Sequence, residues 1–493
     1  MAKLYIFGIG GTGSRVIKAL TFLLASGVKP HADFDTIIPM VIDPDAANGD
    51  LNRTTDILNK YQHIQKNSNE AENLFGTKIK TLKELLNENH QNISSNFIYS
   101  LAHTGQKFGE FIDYNGMDDD NKALFDLLFS QENKEADMTV GFKGNPNIGS
   151  VVLNTFSSTN EDKEFRNSFN PGDAIFIINS IFGGTGASGF PLLLKNLRLD
   201  DSAVLNSQII SQAPIGAITY LPYFSIPESA GGNKDIDSST FMSKSKAALS
   251  YYEHAIFKDE HSLNAFYYLG DFSNNSIPYA EGKENQKNPA HFLELAGALA
   301  IIDFTNNHCK QSNGATVMKE FGTLQNNGKS LKYNLLGSKT KDSIKHPLSA
   351  LTLFSLFLEH SLDQLKVNKG PFNNQRDGID NSFYTKDFYK EYLEKFVAYF
   401  TEWLNEMEKN DVSFAPFHTN VTHETLKGFV KDLNNKEGIL GKIGIKKQLS
   451  GNNLIADLNG AIKSKKYDSE ESNARFIKVF DDVIQKNIKQ LMN

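Results

Sequence analysis

The sequence predicts an α/β fold, a mostly parallel sheet flanked by helices, followed by a mainly helical C-terminal region. Three observations carry this expectation. Residues 174–190, AIFIINSIFGGTGASGF, join a continuous apolar run to four glycines within seven residues, and a helical pattern over 190–197 follows. An unbroken apolar run is what a strand covered on both faces requires. The same succession of strand, glycine loop and helix opens the chain, where residues 4–7 lead into GIGGTGS at 8–14 and Val16, Leu20, Leu23 and Leu24 mark a helical stripe over 15–25. Beyond residue 348 the pattern is almost wholly helical, over 348–365, 386–408 with the sole Trp403, 424–433 and 472–492.

Composition narrows the class. At 493 residues the chain exceeds one hydrophobic core and predicts two domains with a large insertion. Hydrophobic residues make up 40%, charged residues 22%, and the net charge is −7, so no basic surplus points to a nucleic-acid partner. No apolar run approaches the ~18 residues of a membrane span. Lys3 followed by LYIFGIGG is too short an apolar stretch for a secretory signal, and a cytoplasmic protein is expected. Cys309 is the only cysteine, which excludes a disulfide framework and a cysteine-rich metal site, and the twelve histidines include no H-E-x-x-H pair. No protein-held metal is expected.

Each glycine loop has a physical reading. The first turn of a helix presents N–H groups without intrahelical partners at the positive end of the helix dipole, and glycines let a phosphate approach them closely. Gly8, Gly10 and Gly13 satisfy G-x-G-x-x-G, a weak signal alone. Residues 36–43, TIIPMVID, read as a strand ending in an acid. Asp43 and Asp45 could accept a ribose hydroxyl or hold a magnesium-bound water, or merely cap the turn. Residues 51–140 are polar, with helices expected over 54–65, 77–88 and 122–129. DYNGMDDDN at 113–121 lacks the ligand spacing of a calcium loop and reads as a solvated acidic turn. A third loop, GFKGNPNIG at 141–149, could turn its amides and the Asn145 side chain toward a terminal phosphate. The state of 150–156 stays open, 331–336 could be a strand, and TLQNNGKS at 323–330 is one residue too long for a P-loop and reads as a turn.

Taken in order, GIGGTGSR, a strand ending at Asp43, GNPNIG and FGGTGASG followed by Pro191 resemble the nucleotide loops of the tubulin and FtsZ superfamily, in particular its divergent bacterial tubulin-like members. The resemblance continues through IGAITYLPYF at 215–224, FYYLGD at 266–271 and the helix PAHFLELAGALAIIDF at 289–304. It implies a nucleotide-binding domain over 1–305, with 51–140 as a helical insertion and 289–305 as the central helix, and a mainly helical domain over 306–493. It implies GTP or GDP as ligand, with Mg2+ as a further candidate. Gly8, Gly10, Gly11, Thr12, Gly13 and Ser14 would cradle the α- and β-phosphates. Gly144, Asn145 and Pro146 would lie near the γ-phosphate, and Gly183, Gly184, Thr185, Gly186, Ala187 and Ser188 match the signature loop of the nucleotide site. Arg15 replaces an asparagine that touches base and sugar in FtsZ, and Phe182 replaces the first glycine of the signature loop. His291 and Phe292 could stack on the base, and Glu294 or Asp271 could accept from guanine.

The paired acids that position water for hydrolysis in FtsZ are absent; Asp303 is the only acid in the neighbourhood, either a remnant of them or a helix-end acid with no active role. The expectation is a guanine-nucleotide-binding protein, with GTP hydrolysis and head-to-tail filament assembly as further implications, and partner contacts through the C-terminal domain. Two other readings stay open. GIGGTGS with VIDPDAANGDLNR also resembles adenylating enzymes that activate ubiquitin-like proteins, with Arg53 as an ATP contact, though these leave the loops at 144 and 183 unexplained. A non-hydrolysing scaffold of tubulin fold is the other.

Overall fold

The computed structural model describes residues 2–69, 71–86, 93–101, 105–138, 142, 145–224, 238–258, 262–271, 283–309, 315–322, 330–374, 379–410, 412–431 and 449–492. Seven apolar segments form strands: β1 (Ala2–Ile9), β2 (Phe34–Ile42), β3 (Lys78–Ile79), β4 (Ala174–Ser180), β5 (Ile215–Tyr220), β6 (Ala265–Gly270) and β7 (Val317–Gly322). They make one sheet in the order β3-β2-β1-β4-β5-β6-β7, with every neighbouring pair parallel. Gly8 stands level with Val41 on one side and with Ile178 on the other, so the carboxyl ends of the three central strands finish together.

The strands alternate between two cores because successive side chains leave opposite faces of a pleated sheet. Leu4, Ile6, Phe176 and Ile178 join one core, whereas Tyr5, Phe7, Ile9, Ile175 and Ile177 join the other. The first core carries α1 (Gly10–Ser26), α2 (Gly49–Asn67) and, further along the chain, the helix Phe292–Asn307. The second carries α4 (Pro146–Leu153), α5 (Asn160–Ser168), α6 (Gly184–Arg198) and α7 (Ser238–Ala255); α3 (Asp119–Leu128) lies at its margin through Phe125. With α8 assigned to Phe292–Asn307, the helices that follow are α9 (Ser338–His360), α10 (Glu394–Glu408), α11 (Gly451–Lys463) and α12 (Ser472–Met492). All four pack into the first core. Phe22 of α1 is the hub of this contact, with ring centroids 5.5 Å from Phe396, 5.5 Å from Phe400 and 5.1 Å from Trp403. His63 of α2 stacks on Tyr392 at 3.5 Å, and Asp481 of α12 accepts the amides of Asn73 and Leu74.

From β1 the chain builds outward to β2 and β3, and from β4 it builds the other way to β7. The strand order therefore reverses between β1 and β4, the switch point outside whose carboxyl ends open α/β sheets form their ligand crevice.

Several elements differ from expectation. Both glycine loops are already helical: α1 starts at Gly10 and α6 at Gly184, rather than at 15 and 190. The helix expected over 77–88 is instead the edge strand β3 and one 3-10 turn, Leu82–Leu85, because Ile79 is buried against β2 and the Thr81/Glu84 capping box serves a single turn. Residues 150–156 are helical, completing α4 and entering the turn Asn154–Ser158. In place of a strand over 331–336, Leu331 makes one bridge to Phe414 and Tyr333–Leu335 form a turn, while Val317–Gly322 is the strand. The pattern over 386–408 holds a π-helical turn, Phe388–Leu393, before α10; among the described residues of 424–433 there is the turn Leu426–Gly428, and 348–365 divides between α9 and Leu362–Val367. The acidic turn at 113–121 caps α3, Asp118 accepting from the Asn121 amide. Residues 323–329, most of the P-loop-like stretch, lie outside the described residues.

Phe22→Ala should lower global stability by about 3–5 kcal/mol, the usual cost of emptying a large aromatic site. Urea unfolding followed by both Trp403 fluorescence and circular dichroism measures this. A loss below ~1 kcal/mol would show that α10 does not rest on α1.

Candidate functional site

Three helix N-termini meet at the crevice. None of α1, α4 or α6 has a side-chain cap, and none carries an acidic residue in its first turn. A Cβ on Gly10 would lie 3.7 Å from Thr185 Cβ and 4.0 Å from Gly186 N, so the first turns of α1 and α6 are in contact. A Cβ on Gly149 of α4 would lie 2.3 Å from Ser188 Oγ and 3.1 Å from the Gly184 carbonyl. Three positive dipole ends are thus gathered with no anionic side chain in any first turn, an arrangement suited to a polyanion.

Sterics explain the glycines. Gly10 has φ +72°, a left-handed conformation that a side chain strains, and a Cβ on Gly13 would stand 2.4 Å from the Gly8 carbonyl carbon. From below, Asn179 at the end of β4 donates to the Tyr252 hydroxyl at 3.0 Å and accepts from Thr219, and Tyr252 donates to the Ala187 carbonyl at 3.1 Å. The hydroxyls of Ser14 and Ser188 donate to carbonyls of their own helices, at Gly10 and Gly184. The loops therefore offer backbone amides more than hydroxyls. Gly11, Gly183 and Thr185 are the partly exposed positions at the mouth. Of the third loop, Asn145 stands at the N-cap position of α4 without a side-chain capping bond and Pro146 opens the helix, whereas Gly141 and Gly144 lie outside the described residues.

Arg15 occupies the floor. Fully buried, it donates to Glu294 Oε1 at 2.6 Å, Asp50 Oδ2 at 2.7 Å, Tyr223 Oη at 2.6 Å and Thr12 Oγ1 at 3.2 Å. Burial disfavours its charge, but Tyr223, Asp50 and Glu294 outweigh that cost and hold the guanidinium charged. Glu294 is saturated: Oε1 also accepts from Tyr223, and Oε2 accepts the His291 amide in the capping box that starts α8. Asp50 is shared with Arg53, which also binds Glu406 at 2.5 Å and the Asn288 carbonyl at 2.7 Å. Phe182 packs edge-on against Tyr223 at 5.9 Å and so belongs to the same floor.

The remaining candidates divide. Asp43 and Asp45 sit together past β2, Asp43 accepting the Asp45 amide and Asp45 accepting the amides of Ala47 and Lys283. Burial pushes the Asp43 carboxyl up to about 7, with Asp45 and Asp50 adding repulsion against the lowering effect of the Asp45 amide. His291 is buried and caps α8, its Nδ1 accepting the Leu293 amide at 3.1 Å, which leaves the proton on Nε2, 3.9 Å from Asp271 Oδ2. Burial lowers its pKa to about 4, opposed by Asp271 and assisted by Arg15, so the ring is neutral at pH 7. Phe292 stacks on Phe414 at 5.1 Å inside the core. Asp303 accepts from Tyr267 at 2.6 Å, Lys319 at 2.5 Å and Asn307 at 2.7 Å, tying α8 to β6 and β7. Among the described residues no group of three or more His, Cys, Asp or Glu is placed to hold a metal ion, and no helix is long and apolar enough to cross a membrane.

Asp50, Tyr223, Asn179 and Tyr252 were not singled out in the sequence, because their partners are 35 to 208 residues away along the chain and no local pattern joins them.

No protein-family model matches the chain, and comparison with curated proteins finds no match. Among solved structures, CetZ2 from Haloferax volcanii, described as a GTPγS-bound protofilament, superposes with TM-score 0.29 and 12% identity over 62% of this chain and 59% of its own. CetZ from Methanosaeta thermophila strain DSM 6194 gives 0.26 and 14% over 62% and 51%. The chain thus spans between half and three fifths of those proteins, and neither superposition is close enough to carry an argument.

The raised Asp43 pKa gives a signed pH dependence. Between the unfolded value of 3.8 and the folded value of about 7 the folded state binds more protons, so stability falls as pH rises through that window. Asp43→Asn should abolish this contribution, leaving the variant more stable than the parent above pH 7 by on the order of 1–3 kcal/mol, with the gap closing toward pH 4. Urea midpoints across pH 4–8 measure it, and a pH-independent gap would refute it.

Proposed function

We propose that this chain is a tubulin/FtsZ-like protein that binds a guanine nucleotide across the β1/β4 crevice. The observation that carries the reading is the convergence of three uncapped, acid-free helix N-termini at the point where the strand order reverses. In this reading the amides of residues 10–14 hold the α- and β-phosphates, and those of 183–188 with Asn145 hold the γ-phosphate. Any Mg2+ takes most of its ligands from the phosphates and water, with Asp43 and Asp45 as the nearest protein carboxylates past β2. Asp271 and the Nε2–H of His291 are the polar groups assigned to the base or sugar. Glu294 is withdrawn from that role by its commitment to Arg15, Tyr223 and the His291 amide. The family resemblance extends the proposal to head-to-tail self-association in the cytoplasm.

Asp303 favours a second form of this reading, a scaffold that holds nucleotide without turning it over. Its carboxylate is taken up by Tyr267, Lys319 and Asn307 of its own chain, which removes it as a water-positioning acid for a neighbouring subunit. The adenylating alternative is weakened by Arg53, whose guanidinium is engaged by Asp50, Glu406 and Asn288 rather than turned to a ligand.

Protein purified without added nucleotide, denatured and chromatographed, should release GDP or GTP. Pyrophosphate release from ATP, or failure of both guanine nucleotides to bind in calorimetry, would overturn the reading. Gly183→Val is the sharper variant, because a Cβ there meets nothing closer than Ser180 Oγ at 3.5 Å, so the fold tolerates it while the crevice is narrowed. Its GTP affinity should fall roughly 100-fold with an unchanged melting curve. Gly186→Val places its Cβ 2.5 Å from the Ser180 carbonyl and should lose stability as well.

A further inference from the structure

A second concave surface lies away from the glycine loops. Along α10 the cleft is lined by Glu394, Ala398, Thr401, Glu402 and Asn405, with Lys409 just past its end, and the end of α9 faces them with Leu358 and Glu359. Between the two runs a cleft of about 790 Å³, within the range of sites that take sizeable ligands. Its floor is apolar: Leu358 and Val397 are each 7% exposed and Tyr389 1%. The small side chains of Ala398, Thr401 and Asn405 recur three and four residues apart, so they form a shallow trough along one face of the helix.

The rim is acidic. Glu359, Glu394, Glu402 and Glu406 line the cleft against a single Lys409. Glu406 is committed inward to Arg53 and the Ala290 amide. The other three side chains are 49%, 46% and 43% exposed. Their partners there are the exposed Lys390 for Glu394, Lys287 at 3.4 Å and the buried Arg53 at 3.9 Å for Glu402, and His360 at 4.0 Å for Glu359. Exposed pairs of that kind contribute little, so an incoming cation can displace them. The 15 residues of α10 extend for ~22 Å, the length of four helical turns. A shallow trough of that length over an apolar floor and between carboxylates matches an amphipathic helix with an apolar face and basic flanks.

We propose that the α9/α10 cleft is the docking groove for a basic amphipathic helix of a partner protein. Charge complementarity selects this occupant: net negative rims repel an acidic helix, and a second copy of this acidic chain, at net charge −7, brings no basic surplus to meet them. The proposal is independent of what the glycine loops bind.

The test uses the full chain and a dye-labelled 18-residue peptide of leucine and lysine in amphipathic spacing, with the leucine and glutamate counterpart as control. Anisotropy should show the lysine peptide bound and the glutamate peptide not. Glu394→Lys with Glu402→Lys should weaken binding at least 10-fold, and Ala398→Trp, which fills the trough without touching charge, should do the same. Melting curves of both variants should match the parent. Hydrogen exchange should show peptide-dependent protection across 394–409. Equal affinity in the variants, equal binding of the two peptides, protection elsewhere, or concentration-dependent self-association of the free chain abolished by Ala398→Trp would each overturn the assignment.

Discussion

The buried Arg15 guanidinium is the constraint on which the rest of the site depends. A charge taken out of water is tolerated only where partners saturate it, and here two carboxylates and two hydroxyls do so. Those partners belong to α1, α2, the segment after β5 and α8, so one side chain fixes how four parts of the chain meet beneath the glycine loops. The network continues through Asp50 to Arg53 and from Arg53 to Glu406, with Lys18 3.7 Å from the same carboxylate. Three cations and three anions are thereby balanced within one buried seam. Burial, and then the charge of Arg53, lower the Lys18 pKa, in keeping with a seam that has no charge to spare.

This seam changes what the first-turn residues can do. Arg15 looks inward, and Glu294 looks inward with it. Beside this seam His291 packs edge-on against Tyr223 at 5.2 Å, with its Nε2 3.9 Å from the Asp271 carboxylate. The loops are thus rigid before any ligand arrives, since Asn179 and Tyr252 brace α6 while Arg15 braces α1. Preorganised amides cost no rearrangement when a charge is presented to them.

How much was legible in advance follows from the range of each interaction. The apolar runs at β1, β2 and β4 and the glycine turns after them are local signals, and they appear where the sequence places them. The helix starts were misjudged by five or six residues because glycine has a low helix propensity, which tertiary packing at Gly8/Gly13 and Gly149/Gly184 overrides. β7 escaped notice because VMKEFG carries Lys319 and Glu320, whose charges are met by Asp303 and Tyr268 only after folding. The partners of Arg15 were invisible for the same reason: Asp50, Tyr223 and Glu294 are 35, 208 and 279 positions away. Local propensity finds loops; it does not find what pins them.

One further consequence lies in the order of assembly. β1 and β4 are neighbours in the sheet, and Lys3 is tied to Asp173 across 170 residues of intervening chain. Pairing strands so distant in sequence is slow, which makes this contact a late event in folding. During synthesis β1 emerges first, apolar on both faces and without its partner on one edge, and must wait until residues 174–180 have been made. The buried centre of the finished sheet is therefore exposed to aggregation while it is incomplete.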